Sequence, residues 1–180
     1  MPGIYSILGI FYKLNKYNKI MKEVIGTMSF KKFTGENVVD VADYIKTYCA
    51  EHKEFPIEIM VGTDSQNKSR VTTYSTVIVL YTPGHGGHCI FKRWNTPKET
   101  VRQVRLLKEV EESIKIADEL VASGCPKPNY IDIDLNPNPK FKSNEVFAAA
   151  KGWVEGAGYE VRFKTLGPLV TSAADWLVKM

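Results

Sequence analysis

The sequence has no apolar run long enough to cross a bilayer. Its most apolar opening, Gly3 to Tyr12, falls far short of the ~20 residues that a membrane span needs. No basic segment precedes that stretch and no small-residue cleavage pattern follows it, so a secretory leader is not expected. Cysteine is scarce. The three present, Cys49, Cys89 and Cys125, are odd in number, far apart and in no Cys-x-x-Cys pair, which excludes a disulfide framework and points to reduced thiols in the cytoplasm. Repeats and low-complexity tracts are absent. Gly84-His85-Gly86-Gly87 has neither the lysine nor the following helix of a phosphate-binding loop. His85, His88 and Cys89 are too few for a zinc site, so a flexible exposed turn is expected there. The charge balance, 24 basic against 20 acidic residues for a net +4, permits a polyanionic partner without requiring one.

What remains is ordinary for a globular chain: 180 residues, 44% hydrophobic and 24% charged. That is enough for one well-cored domain. Residues 29–180 are expected to form it, with 1–28 as an N-terminal extension. Val38, Val41, Ala42, Ile45 and Cys49 recur at helical spacing and predict a helix over Glu36 to Ala50. Three strands follow, the run from Ile57 to Gln66, Tyr74 to Tyr81 and Cys89 to Trp94, joined as an antiparallel meander. Lys98 to Ser123 is the longest helix. A strand at Tyr130 to Leu135, a helix over Asn144 to Glu155, a strand at Tyr159 to Thr165 and a short last helix complete the chain. Such an order implies an α/β fold: a mixed five-stranded sheet, three antiparallel and two parallel strands, flanked by helices.

Acidic residues interrupt this apolar pattern at unusual places. Asp64 ends the first apolar strand run, Ile57-Glu58-Ile59-Met60-Val61-Gly62-Thr63-Asp64. Alone it fits a turn or cap residue; buried, it requires a cation or hydrogen-bond donors. Asp132 and Asp134 lie at i and i+2 of another strand and share a face; the alternative is an edge face with solvated acids. Asp175 sits in Ser172-Ala173-Ala174-Asp175, where it could equally serve the positive end of a helix capped by Thr171 or Ser172. If the first and fourth strands are neighbours, Asp64 and Asp132 fall side by side, with Asp175 laid across them. Adjacent carboxylates suit Mg²⁺ or Mn²⁺, which take oxygen ligands. On the long helix, Glu111 shares a stripe with Leu107, Ile114 and Asp118 and is a fourth candidate; a surface ion pair with Lys108 or Lys115 explains it equally well. Glu109, Glu112 and Glu119 read as surface acids.

The stretches Val61-Gly62-Thr63-Asp64-Ser65-Gln66, Glu111 with Ile114, Tyr130-Ile131-Asp132-Ile133, Gly156-Ala157-Gly158-Tyr159-Glu160-Val161-Arg162 and Ser172-Ala173-Ala174-Asp175 resemble, in order and spacing, the ribonuclease H-like superfamily. More narrowly, they resemble its YkuK-like family of small bacterial proteins. The resemblance runs from about residue 33 to the end. It implies a ribonuclease H-like fold and carries metal binding onto Asp64, Glu111, Asp132 and Asp175, with Asp134 as the substitute if Asp132 faces away.

The expected activity is therefore metal-dependent hydrolysis of phosphodiester bonds in nucleic acid. The other reading is a non-catalytic nucleic-acid-binding or interaction module on the same fold. Basic residues flank the acids: Lys68 and Arg70 after Asp64; Lys92 and Arg93 with Trp94 at the end of the third strand; Lys98, Arg102 and Arg105 on the long helix; Lys140 and Lys142 in an Asn/Pro loop expected to be mobile. They are the candidate phosphate contacts, and Trp94 the candidate stacking residue. No membrane partner is expected, and the apolar N-terminal stretch suits a homodimer.

Overall fold

The structure is a computed structural model and describes residues 29–163 and 169–179. The expected extension, residues 1–28, lies outside the described residues. The elements in chain order are β1 (Phe30–Lys32), β2 (Asn37–Val38), α1 (Val41–Glu51), β3 (Glu58–Asn67), β4 (Val71–Thr82), β5 (Gly86–Pro97), α2 (Arg102–Ala122), β6 (Tyr130–Ile133), a 3₁₀ turn (Lys142–Val146), α3 (Phe147–Gly156), β7 (Glu160–Phe163) and α4 (Leu169–Lys179).

The α/β class and the mixed sheet are as expected, but the sheet has seven strands rather than five, in the order β2-β1-β5-β4-β3-β6-β7. The additional two are β1 and β2, three and two residues long. Strands that short carry no readable alternation, and they extend the antiparallel edge by pairing with β5 and with each other. β3, β4 and β5 form the expected meander, with β4 and β5 each twelve residues long. β6 runs parallel to β3, and β7 parallel to β6. The helix α1 starts later than its apolar periodicity suggests, because the Asp40 side chain accepts the Asp43 N–H at 2.9 Å and fixes the N-cap there. The helix α4 begins at Leu169, ahead of the expected caps Thr171 and Ser172.

Strand alternation divides the core. Ile59, Val61, Ile78, Leu80, Ile90 and Ile131 face α1, α2 and α3. Met60, Val77 and Val79 face the other way, against Val170, Ala174 and Leu177 of α4. His88, expected in an exposed turn, instead packs on α1: its Nε2 lies 2.6 Å from the Tyr44 hydroxyl, and its ring stacks on Tyr48. The three cysteines are free, with Cys125 buried and the others half-buried. No helix among the described residues is long and apolar enough to cross a membrane.

The seating of α4 depends on Gly62. A Cβ there would stand 2.9 Å from Val170 Cγ1 and 3.1 Å from the Asp132 carbonyl oxygen. Gly62→Ala is therefore expected to cost about 1–3 kcal/mol, read as a lower urea midpoint. Adding Val170→Ala should recover part of that loss; a Gly62→Ala protein as stable as the parent would show that the helix is not pressed against the strand.

Candidate active site

β3 is ten residues long, while its parallel neighbour β6 pairs with it only at Met60, Val61 and Gly62. From Thr63 to Asn67, β3 pairs, among the described residues, with β4 alone. A cleft of about 380 Å³ opens there, beyond the carboxyl end of β6, bounded by α2, the loop after β6 and α4. Crevices at the carboxyl ends of parallel strands are the usual ligand sites of open α/β sheets.

Asp64 lines this cleft from the β3 face that carries Met60 and Gly62. It is 9% exposed. Burial, with the Asp134 and Asp175 carboxylates nearby, raises its pKa from 3.8 to about 6; a backbone hydrogen bond at Ser65 and the Arg105 guanidinium oppose the rise. Ser65 points to the opposite face and meets α2, where its hydroxyl donates to Glu109 Oε1. Arg105 Nη1 donates to the Ser65 carbonyl at 2.7 Å and to Glu109 Oε1 at 3.2 Å. Glu109, only 4% exposed, is held well above the usual carboxylate range. Its burial is the main cause, with Asp64 and Asp134 adding to it and Ser65 and Arg105 working against it. Behind it, Ser113 Oγ donates to the Glu109 carbonyl at 2.8 Å and is hydrogen-bonded to the Thr63 hydroxyl at 3.0 Å, locking α2 in register with β3.

Asp134, one residue past the end of β6, enters the cleft from the other side, and Asp175 enters from α4. Lys179 pairs with Asp175 along that helix. The loop after β6, expected to be mobile, is laced by asparagine side chains: Asn136 accepts the Asn138 N–H at 2.9 Å, and Asn144 donates to the Pro137 carbonyl at 2.8 Å. It sets Phe141, 53% exposed, on the cleft wall. Arg102 completes a basic rim with Arg105. Four carboxylates and two guanidinium groups thus share one cavity built from β3, α2, the β6 loop and α4. The sequence model of the ribonuclease H-like family matches residues 40–179, spanning all of these elements.

The chain belongs to the ribonuclease H-like family. No curated protein and no solved structure matches it. Within this ribonuclease H-like chain, two of the expected acids lie elsewhere. Glu111 is exposed and does not line the cleft; Glu109, read from the sequence as a surface acid, does. The buried face of α2 runs through Leu106, Glu109, Val110, Ser113, Ile114 and Ala117; Ile114 belongs to it, but Glu111, three residues before Ile114, falls outside it and Glu109 inside. Asp132 is fully buried but outside the cleft. It lies opposite Gly62, two residues short of Asp64. Its Oδ1 lies 3.6 Å from Arg162 Nε of β7, and its Oδ2 accepts the Val170 N–H at 3.4 Å. Burial raises its pKa, and Arg162 and that N–H partly restore it. Asp134 takes the place expected of Asp132. Glu112, also read as a surface acid, is largely buried and faces Lys92 at 3.6 Å.

Trp94 is corrected too. It is 8% exposed, stacks on Tyr74 at 5.4 Å and is capped by Lys92 at 4.9 Å, so it is a core residue that no base can reach. Phe141 is the exposed aromatic of the cleft, and the sequence marked it only by its place between Lys140 and Lys142. Those two lysines and Arg70 are exposed, while Lys68 and Arg93 are half-buried; none of the five lines the cleft.

The raised pKa of Asp64 makes a stability prediction. Its folded value, about 6, exceeds the ordinary 3.8, so the folded state holds its proton more tightly. The stabilisation is complete below pH 3.8 and is lost as pH rises through about 6. The gap is worth on the order of 3 kcal/mol. Without divalent metal, Asp64→Asn should therefore gain stability over the parent between pH 4.5 and 7.5 in paired urea titrations. An equal difference at the two pH values would mean that Asp64 is solvated.

Proposed function

We propose that this protein is a divalent-metal-dependent nuclease that hydrolyses phosphodiester bonds of nucleic acid. The observation that carries this reading is the convergence of Asp64, Glu109, Asp134 and Asp175 on one cleft rimmed by Arg102 and Arg105. Family membership supports a role connected with nucleic acid. The donors fit Mg²⁺ or Mn²⁺ in chemistry: all are carboxylate oxygens, and burial, with the neighbouring carboxylates adding to it, raises the pKa of Asp64 and Glu109, which a cation would relieve. Among the described residues, no three of His, Cys, Asp or Glu come together as a metal-holding group. The acids share the cavity without forming a closed ligand set.

Bound there, Mg²⁺ or Mn²⁺ would supply charge stabilisation and an acidified water for phosphodiester hydrolysis. The chain supplies the remainder. Asp64, on a rigid central strand, and Asp175, on a helix pinned to that strand, are the principal holders. Asp134 adds a third carboxylate from the loop. Glu109 would join by turning from Ser65 and Arg105. Arg102 and Arg105 attract a phosphate to the rim. Phe141 offers a ring face for a base or sugar.

One observation favours the non-catalytic alternative. Glu109 already has a cationic partner in Arg105, an arrangement that would suit a site binding nucleic acid without cutting it.

The test is incubation of the full chain with labelled single-stranded RNA, single-stranded DNA, duplex and hybrid, with Mg²⁺, Mn²⁺ or chelator. Metal-dependent cleavage is expected. Asp64→Asn and Glu109→Gln should each lower it by about a hundredfold or more, and Glu111→Gln should leave it unchanged. Binding without cleavage under every condition would move the assignment to the binding module. Loss of cleavage in Glu111→Gln but not in Glu109→Gln would refute the site as drawn.

A further inference from the structure

Among the described residues the two faces of the sheet are unequally covered. Three helices lie on one, and α4 lies on the other, over Met60, Val77 and Val79. Beyond α4 that face continues onto β5 and β1. The register places Gly62, Val77, Phe91 and Lys31 in one row, and Asp64, Ser75 and Arg93 in the next. Phe33 follows β1 and meets Phe91 at a tilt of 48° with centroids 5.2 Å apart; Trp176 of α4 lies tilted against Phe33 at 6.0 Å. Phe33 is 47% exposed and Trp176 54%. Large rings left side by side in water mark a surface with an occupant.

The chemistry of the strip narrows the occupant. On this face, β1, the residue after it and β5 present Lys31, Phe33, Cys89, Phe91 and Arg93, of which two are basic and none acidic. An apolar partner would leave those cations without a counterpart. Ring faces interleaved with cations suit unpaired nucleotides, whose bases stack and whose phosphates take the charge. Position agrees. Trp176 directly follows Asp175, so strip and cleft lie on two flanks of one helix. Arg93 lies in the same sheet row as Asp64, two strands away.

We infer that Phe33, Phe91 and Trp176, with Lys31 and Arg93, form a stacking track for single-stranded nucleic acid leading to the acidic cleft. The inference rests on the nuclease reading of that cleft and gives it a preferred substrate form. Duplex bases are already stacked and cannot lie on the rings, so the track selects single strands.

The experiment is fluorescence anisotropy of the full chain with labelled oligo(dT) and oligo(U) and with a duplex of equal length, in chelator to prevent cleavage. Parent protein, Trp176→Ala, Phe33→Ala and Trp153→Ala are compared, with thermal melts to check folding. Trp153, half-exposed on α3, is the control. Single strands should bind more tightly than duplex. Trp176→Ala and Phe33→Ala should each weaken binding about tenfold, and Trp153→Ala should not. Quenching of tryptophan fluorescence by oligo(dT) should fall in Trp176→Ala. Unchanged affinity in both ring variants overturns the track while metal-dependent cleavage by the parent keeps the nuclease reading. A change in particle mass by light scattering, without a change in affinity, assigns the rings to a second copy of the chain and also overturns it. A parent that neither binds nor cuts any oligonucleotide overturns both.

Discussion

β3 is paired with β4 along its whole length, but with β6 only as far as Gly62. Past that point one edge of the central strand has no neighbouring strand among the described residues, and side chains fill the gap. Those side chains are acidic, and the gap is narrow enough to strip much of their water. Desolvating several carboxylates in one place is unfavourable unless positive charge is supplied. The described residues supply part of it, through Arg105 beside Glu109 and Lys179 beside Asp175. The raised pKa values of Asp64 and Glu109 record what is left uncompensated. A proposed metal centre follows from this imbalance more directly than from any one residue.

The order of elements was readable from apolar periodicity, and so was the placement of Asp64 and Asp175. Both sit where an apolar pattern is broken by a charge that local structure does not require. The errors have a common physical origin. Choosing Glu111 over Glu109 is an error of helix phase: the buried face is broad enough to hold Leu106, Ser113 and Ile114 together, with Leu107 partly buried, and packing against β3 decides that Glu109 rather than Glu111 falls within it. Ser113 is polar, so hydrophobicity gave it no weight, yet its hydroxyl ties α2 to Thr63. Asp132 and Asp134 share a strand parity, and what separates them is where pairing with β6 ends. That limit is a property of the sheet and is not visible in the sequence of one strand.

Two residues that look functional turn out to hold the frame. Asp132 pairs with Arg162 across neighbouring parallel strands and accepts the Val170 N–H, so one buried carboxylate joins β6, β7 and the first turn of α4. Removing either partner would leave a buried charge without its counterpart, which is far more disruptive than replacing the pair. Trp94 and Tyr74 similarly brace the long β4–β5 ribbon against the side that carries α2.

The acids of the cleft come from widely separated parts of the chain, and Asp175 is the last of them in sequence. A polypeptide emerging from the ribosome exposes Asp64, Glu109 and Asp134 well before the helix that docks on Gly62. Domains fold as units once enough of the chain is available, so the cavity has its full complement of carboxylates only after α4 has been made and has packed. A growing chain stands beside ribosomal and messenger RNA, and for a chain that proves to be a nuclease this arrangement would keep it latent until α4 has left the ribosome.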